Sequence, residues 1–202
     1  MVFKTSVKIE KKCCSDLLKI LKVSLFFLLG IVCIAAAIKY TVGKSTYGYR
    51  GLGDIAVFIF FGFVGVTGSA YLYLHEFNYQ YLLVAACFGL LSAAVLNINN
   101  MRDHVNDKNH NKNTLVVRMG LQKARKYHLF IILFALSCLV AYSTCNYVSW
   151  KEFIYLLVSP LLVVDIFKLQ TVLPEKMDPF LKRTAIFTFL LALLFFIGKI
   201  VS

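Results

Sequence analysis

Oxygen-bearing side chains stand at regular spacing where the third apolar stretch of the sequence gives way to its longest polar connection. Asn99, Asp103 and Asp107 are four residues apart, and each step of four advances a helix by only ~40° beyond a full turn. A helix through this segment would therefore carry the three side chains in one row. Carboxylates four residues apart repel each other by about 0.2–0.5 kcal/mol, and a bound cation would reverse that sign. Because hard oxygen ligands without a nearby Cys suit Mg²⁺, the spacing predicts a magnesium site.

Basic side chains follow this row and could bind the anionic part of a ligand. Lys112 and Arg118 lie in the same connection, and an arginine side chain suits two-point contact with phosphate oxygens. Since Mg²⁺ often shares its coordination with substrate phosphate, the connection predicts a pocket for a phosphorylated ligand. The alternative is a solvated loop whose charges merely keep it in water. We favour that alternative for Lys123, Arg125 and Lys126.

A second polar connection, residues 40–54, combines four glycines with three tyrosines and ends on Asp54. Glycine permits tight turns, and tyrosine offers a flat apolar face with a hydroxyl group at its tip. Tyr40, Tyr47 and Tyr49 could therefore bind an aromatic substrate. They could equally form the aromatic belt that membrane proteins place at the lipid headgroups. Asp54 is either part of the same aromatic site or a charge at a helix N-terminus.

The elements that must position these residues are unusually apolar, because 59% of the 202 residues are apolar and only 16% are charged. Six stretches approach the length of about 20 residues that a helix needs to cross a membrane. They are 23–40, 54–74, 79–99, 128–149, 153–168 and 184–201. Since these runs lack the alternation of barrel strands, the sequence predicts an all-α, polytopic bundle of membrane helices. This composition excludes a soluble enzyme, an extracellular disulfide module, a disordered tail and a nucleic-acid-binding domain.

The net charge of +12 is unevenly distributed and predicts an orientation. Lys and Arg are more frequent in the connections after the first, third and fifth apolar stretches than on the opposite side. The positive-inside rule therefore places these three connections in the cytoplasm. Six lysines of a basic N-terminal segment, 1–22, contradict that arrangement. We separate this segment from a transmembrane domain at 23–202, and we expect the chain to begin partway through a larger topology.

Small side chains recur at helical spacing inside two of the apolar stretches. Ala85, Gly89 and Ala93 form one row, and Gly65 with Ser69 forms another. Such rows are typical of places where membrane helices approach each other closely. We interpret both rows as packing positions.

Three further residues have predicted roles at the ends or in the middle of helices. Pro160 predicts a kink in the fifth apolar stretch. Asp178, followed by Pro179, predicts the N-cap of the last helix. Asp165 is ionisable and lies at membrane depth, which makes it a candidate functional residue.

The two polar connections together resemble the motifs of a known family. The matching segments are 40–43, 47–54, 97–103 and 112–120, together with Asp107. On these motifs the chain resembles the menaquinone-pathway branch of the UbiA superfamily of intramembrane prenyltransferases, the branch that prenylates dihydroxynaphthoate. The resemblance runs from about residue 34 to the C-terminus.

The resemblance implies an intramembrane reaction that fits these residues. In the family, Mg²⁺ held by Asp-rich motifs neutralises the diphosphate of a polyprenyl diphosphate, whose allylic carbon–oxygen bond then ionises. The ring of 1,4-dihydroxy-2-naphthoate attacks the resulting cation and loses its carboxylate as CO₂, which gives demethylmenaquinone in its reduced, hydroquinone form. The apolar bundle shields the cation from water. The resemblance also implies a multi-pass protein of the bacterial cytoplasmic (inner) membrane, in contact with membrane lipid.

Individual residues take roles from this resemblance. Asn99, Asp103 and Asp107 match the second metal motif of the family, with Asp103 and Asp107 as the catalytic residues. Lys44, four residues after Tyr40, matches a tyrosine-to-lysine spacing found near the substrates. The implied diphosphate-binding residues are Lys44, Lys112 and Arg118, and the implied residues for the aromatic acceptor are Tyr40, Tyr47, Tyr49 and Asp54.

Departures from the family lead to further expectations. Family members have nine helices and an additional Asp-rich motif on the second, whereas the apolar stretches here correspond to helices four to nine. We therefore expect an N-terminally truncated or split prenyltransferase that holds one metal ion, has a complementary N-terminal fragment as partner, and has little activity alone. The alternatives are a non-catalytic membrane fragment and a small ion-binding transporter.

Overall fold

The computed structural model describes residues 23–40 and 46–202, with Tyr47 described by its backbone only. The chain divides into two compact units after Ser45. In the first unit, α1 (Val23–Tyr40) is a helix of 18 residues whose side chains are mostly exposed. The basic segment 1–22 and Lys44 lie outside the described residues.

The second unit is built from helices joined by short connections, and between residues 46 and 202 it contains no strand. In chain order its α-helices are α2 (Gly53–Leu74), α3 (Tyr81–Asn109), α4 (Leu115–Met119), α5 (Leu121–Cys145), α6 (Ser159–Leu169) and α7 (Asp178–Val201). Shorter 3₁₀ segments lie at Tyr47–Arg50, Trp150–Val158 and Pro174–Lys176. The predicted all-α class is confirmed.

Five of the described helices are long and apolar enough to cross a membrane, namely α1, α2, α3, α5 and α7. Each of them falls at a predicted stretch, which makes this a multi-pass membrane protein. The remaining stretch, 153–168, is also helical but changes type, because a 3₁₀ segment ends at Val158 and α6 begins at Ser159. Pro160 lies in the first turn of α6, where its missing N–H would be unpaired in any case. In place of the expected kink, the proline marks the start of an α-helix.

The third helix is the centre of the second unit. Half of the most apolar 18-residue stretch of α3 is buried, whereas the buried share of the corresponding stretch is 6% in α2 and 17% in α7. The reason is that α3 packs against three other helices, α5, α2 and α7. Leu91 on α3, Leu139 on α5 and Leu191 on α7 are completely buried where these helices meet. The central position of α3 fixes the part of the chain that carries Asn99, Asp103 and Asp107.

Helices α2 and α3 approach each other closely at two glycines. A Cβ atom at Gly62 would lie 2.6 Å from the carbonyl oxygen of Ala85, and one at Gly89 would lie 2.7 Å from the carbonyl oxygen of Phe58. Real Cβ atoms do not come so close to backbone oxygens, so only glycine fits at either position. The predicted packing role of the row through Ala85 and Gly89 is confirmed.

The other predicted row, Gly65 with Ser69, is wrong for the described part of the chain, because both residues are exposed there. The residue that α2 presents to α3 is instead Gly62. Gly62 lies in the π-helical part of α2, between Phe58 and Thr67. Because a π-helix has more residues per turn than an α-helix, Gly65, three residues after Gly62, is turned further away from α3 than it would be in an α-helix.

Arg125 corrects another expectation, since it is buried rather than solvated. Its guanidinium group donates hydrogen bonds to the carbonyl oxygens of Gln170 and Val172, which follow the end of α6. Carbonyl groups at a helix C-terminus carry partial negative charge and need donors. Arg125 therefore caps α6 from the neighbouring helix α5, and its positive charge has a structural role.

Two ion pairs join α7 to α6 and to the 3₁₀ segment Trp150–Val158. Arg183 Nε lies 2.7 Å from the carboxylate of Asp165, which gives that intramembrane acid a structural partner. At the other end of α7, Lys199 Nζ lies 2.6 Å from Glu152, whose side chain is fully buried. The second oxygen of Glu152 accepts a hydrogen bond from the Val148 N–H. The buried carboxylate at this end is thus fully paired.

Candidate functional site

The candidate site lies on the last three turns of α3. Asn99, Asp103 and Asp107 all belong to this one helix, which continues to Asn109. The predicted row of oxygen donors is therefore present. A helix that continues past the membrane-spanning length carries its last polar turns beyond the apolar core.

Arg102 binds two members of the row. Its terminal Nη2 atom donates to Asn99 Oδ1 at 2.9 Å and to Asp103 Oδ2 at 2.8 Å, and Nε donates to Asp103 Oδ1 at 2.8 Å. Both carboxylate oxygens of Asp103 therefore face one guanidinium group, the two-point geometry that arginine favours. Asn99 and Asp103 thus converge on a single cationic group.

The same arginine reaches across to α7. Its Nη1 atom lies 2.5 Å from Asp178 Oδ1. Asp178 is the first residue of α7 and Met177 occupies the N-cap position, so the predicted N-cap role of Asp178 is wrong. The carboxylate is instead drawn towards Arg102, and α7 begins one residue earlier than predicted.

Asp107 has different surroundings from Asp103. It is 4% exposed, and its Oδ1 atom lies 3.1 Å from Lys112 Nζ. The Lys112 N–H also donates to the backbone carbonyl of Asp107 at 2.8 Å, so the turn after α3 folds the lysine back over the helix end. The second carboxylate oxygen, Oδ2, is buried and has no hydrogen-bond partner within the described residues.

These donors fit one divalent ion. Asn99 Oδ1 and Asp103 Oδ2 lie within 2.9 Å of the same nitrogen atom of Arg102, so a small adjustment would bring both to the shorter distance that a metal requires. Residues 23–40 and 46–202 contain no group of three acidic, His or Cys side chains placed to hold a metal. A bound ion would therefore rely on Asn99 and Asp103, with the unpaired oxygen of Asp107 as the nearest further donor along the row.

The two polar connections meet, as their predicted common side of the membrane requires. The Asn113 N–H donates to the Tyr49 carbonyl oxygen at 3.0 Å. The Arg118 guanidinium lies against Gly51, because a Cβ atom at Gly51 would be 3.2 Å from Arg118 Nε. Gly51 has φ +75°, a conformation that side chains other than glycine rarely adopt. Arg118 is thus held at the junction of the connections.

Of the residues predicted for the aromatic acceptor, the second unit describes the side chains of Tyr49 and Asp54. Tyr49 is exposed, whereas Asp54 is buried at the start of α2 next to the hydroxyl group of Tyr127 on α5. Asp54 Oδ2 has no hydrogen-bond partner in the described part of the chain. Tyr40 is the last residue of α1 in the first unit. The side chain of Tyr47, like all of Lys44, lies outside the described residues. The acceptor site therefore stays a prediction.

An open apolar cleft of about 450 Å³ lies beside the row on α3. It is formed by α2, α3 and α7, and its walls are mostly aliphatic or aromatic. The lining residues are Val57, Phe61, Ser92, Val95, Leu96, Asn99, Leu181, Ala185 and Thr188. Asn99 belongs both to this wall and to the group around Arg102. The cleft therefore suits a ligand with an apolar chain and an anionic end.

Sequence reasoning missed Arg102 and Tyr127 as members of the site. Arg102 has no role of its own in the sequence prediction, although one part of its contacts gives a signal. It follows Asn99 by three residues, a spacing at which side chains on a helix meet, whereas helix geometry does not predict its contact with the adjacent Asp103. Tyr127 gave no comparable signal, because its neighbour Asp54 lies on another helix.

Known relatives of the chain are bacterial enzymes. It is 42% identical over 175 residues to a 1,4-dihydroxy-2-naphthoate octaprenyltransferase of Haemophilus influenzae, a match that covers 86% of this chain and 57% of the relative. It is 44% identical over 178 residues to the protein of the same name from Escherichia coli, which covers 88% and 58% of the two chains. A protein of that name from Mycobacterium tuberculosis is 44% identical over 96 residues, 48% of this chain and 33% of the relative.

The chain spans rather less than three fifths of the length of the first two relatives. No solved structure matches it. The model of the UbiA prenyltransferase family matches residues 17–194, which include every described member of the candidate site. A multi-pass helical bundle, a row of oxygen donors and this match agree, and the chain belongs to the UbiA prenyltransferase family.

Proposed function

We propose that this chain binds a polyprenyl diphosphate and takes part in prenylation of 1,4-dihydroxy-2-naphthoate in a bacterial inner membrane, a step of menaquinone biosynthesis. The observation that carries the proposal is the position of Asn99, which is shared by the polar group on α3 and the wall of the apolar cleft. A prenyl chain in the cleft would bring its diphosphate to the turn that contains Asp103. The names of the relatives support this choice of substrates.

We propose that some residues of the site bind the metal ion and others bind the diphosphate, according to their chemistry. Asn99 and Asp103 would hold a divalent ion, which we propose to be Mg²⁺ because all the donors are hard oxygens. When bound, this ion supplies positive charge to the leaving diphosphate. Lys112 and Arg118 follow in the connection that joins Tyr49, and we propose that they bind diphosphate oxygens at the rim of the bundle. Their flexible cationic groups would add to the charge that the ion supplies.

The reaction itself then needs few protein groups. The allylic carbon–oxygen bond breaks, its electron pair leaves with the diphosphate, and a ring carbon of the naphthoate attacks the allylic cation. The ring carboxylate departs as CO₂ and leaves its electron pair in the ring, so charge balances. The apolar walls of the cleft keep water from the cation. Asp54 and Tyr127 are the polar groups that we propose to orient the acceptor hydroxyls.

The test is product formation by the purified chain in lipid vesicles with Mg²⁺, the naphthoate and a polyprenyl diphosphate. Mass spectrometry should detect the prenylated, decarboxylated product, and Asp103→Ala should abolish it, a result that would contradict the expectation of little activity for the chain alone. Glu175→Ala removes an exposed carboxylate at the same end of the bundle and should leave the rate unchanged. Binding of the diphosphate without product would indicate a non-catalytic membrane fragment, and Mg²⁺ binding without diphosphate binding would favour an ion-binding transporter. A complementary N-terminal fragment stays a prediction of the sequence.

A further inference from the structure

The guanidinium group of Arg102 makes several contacts with the candidate metal site. A cation that only kept the chain in contact with water would not need them. Three of its donors face oxygens of Asn99 and Asp103, at 2.8–2.9 Å. A fourth contact, at 2.5 Å, goes to Asp178 on α7. The guanidinium group thus holds the oxygen atoms that a divalent ion would need, and it ties them to another helix.

The partners of Arg102 differ in how strongly solvent screens them. The Asp178 side chain is 60% exposed, whereas those of Arg102 and Asp103 are 29% and 32% exposed. Exposed ion pairs contribute little to stability, so the contact with Asp178 chiefly sets where the guanidinium lies. The two-point contact with Asp103 is the better shielded and geometrically stronger part.

The guanidinium group of Arg102 and a metal ion cannot both contact these oxygens at the same time. A guanidinium group and a divalent ion within hydrogen-bond distance of the same carboxylate would repel each other strongly in this partly shielded place. One must therefore leave when the other binds. A leaving arginine needs a new anionic partner, and a diphosphate offers it the same two-point geometry as a carboxylate.

We infer that Arg102 is a positioning residue that occupies the Asn99–Asp103 site until a diphosphate arrives, then moves to the diphosphate and releases the site to the divalent ion. The inference rests on the proposed function, which supplies the anion. Asp178 keeps the displaced guanidinium close to the site. Binding of the ion and of the diphosphate are thereby coupled, and the free chain binds divalent ions weakly.

The first test measures Mn²⁺ binding to the full chain in detergent by electron paramagnetic resonance, without any diphosphate. Arg102→Gln should bind Mn²⁺ about tenfold more tightly than the unaltered chain, a difference equal to one charged contact. Adding Asp103→Asn to that variant should remove the gain. Arg183→Gln breaks the other Arg–Asp contact of α7 and serves as the matched control, with affinity unchanged.

The second test measures binding of radiolabelled pyrophosphate at saturating Mn²⁺. Arg102→Gln should bind it about tenfold more weakly, because the guanidinium no longer moves to the anion. Arg102→Lys keeps the positive charge but loses the two-point geometry. Its affinity for pyrophosphate should therefore lie between those of the unaltered chain and Arg102→Gln. Circular dichroism of each variant shows whether helix content is retained.

Two results would overturn the inference: Mn²⁺ affinity that Arg102→Gln leaves unchanged or lowers, or pyrophosphate affinity that it leaves unchanged. Neither readout depends on prenyl transfer. An active chain whose Arg102→Gln variant gains no Mn²⁺ affinity contradicts the arginine's role alone. An inactive chain whose variant does gain affinity contradicts only the proposed function.

Discussion

Asp103 and Asp107 are neighbours in one row, four residues apart, yet their contacts differ. Asp103 is partly exposed and faces a guanidinium group with both oxygens, whereas Asp107 is buried and pairs with Lys112 through one oxygen. Equal spacing in the sequence predicted equal roles. We propose that Asp103 is the stronger metal ligand, because its side chain is partly exposed and both of its oxygens already face a cationic group.

The two carboxylates should therefore respond differently to removal of their charge. Asp103→Asn is expected to lower the rate of prenyl transfer by about 100-fold or more, the loss typical of a group that acts on developing charge. Asp107→Asn should cost about tenfold, since its unpaired oxygen lies further along the row. Initial rates at saturating substrates measure both effects. Equal losses in the two variants would contradict the assignment.

Arg125 shows why a charged residue near a helix end is hard to interpret from sequence. The pattern of neighbouring cations predicted a solvated loop, but burial of Arg125 depends on carbonyl groups of Gln170 and Val172, more than 40 residues away. The sequence around Arg125 contains no pattern that predicts such a contact. The row on α3 was predictable for the opposite reason, because its residues and their helix are adjacent in sequence.

Arg125→Met should destabilise the bundle because it removes both donors from the end of α6. We expect a loss of about 2 kcal/mol in the free energy of unfolding, as for buried acceptors left without partners. Lys126→Met alters the exposed neighbouring cation and should change stability by less than about 0.5 kcal/mol. Thermal unfolding in detergent, followed by circular dichroism, compares the two. A similar change in both variants would mean that the cap is not needed.

At the scale of elements, the α-helical periodicity predicted α3 well and α2 poorly. The row through Ala85 and Gly89 is buried as expected, because α3 is α-helical throughout. In α2 the π-helical turns between Phe58 and Thr67 change which residues share a face. Nothing in the apolar sequence of α2 distinguishes one helix type from the other, so the contact through Gly62 could not be foreseen.

The glycine contact between α2 and α3 leads to a prediction about stability. Gly89→Ala places a methyl group against the Phe58 carbonyl and should force the helices apart, at a cost of about 1–3 kcal/mol. Gly68→Ala is the matched control, because a Cβ atom there meets nothing within 4 Å. It should leave the unfolding temperature unchanged or raise it slightly. Thermal unfolding of the two variants gives the comparison, and equal stability would rule out close backbone contact at Gly89.

At the scale of the whole second unit, the two ends of the bundle carry different chemistry. One end gathers the end of α3, the start of α5, the end of α6 and the start of α7, with Arg102, Lys112 and Arg118. The opposite end holds the buried pair of Glu152 and Lys199. Fixed positive charge concentrated at one end is the feature that orients membrane proteins. The structure thus retains the asymmetry on which the predicted orientation depends.

We therefore expect the Asp103 end to face the cytoplasm. Cys145 is exposed at the opposite end of α5 and provides a natural label there, while Lys126→Cys would place a thiol near the cytoplasmic end of the same helix. In a chain that keeps only one of these thiols at a time, a membrane-impermeant maleimide should label Cys145 in intact bacterial cells. It should label the thiol introduced at position 126 only after the membrane is permeabilised. The reverse pattern would place the candidate site outside the cell, away from cytosolic diphosphates, and would contradict both the orientation and the proposed route of the substrate.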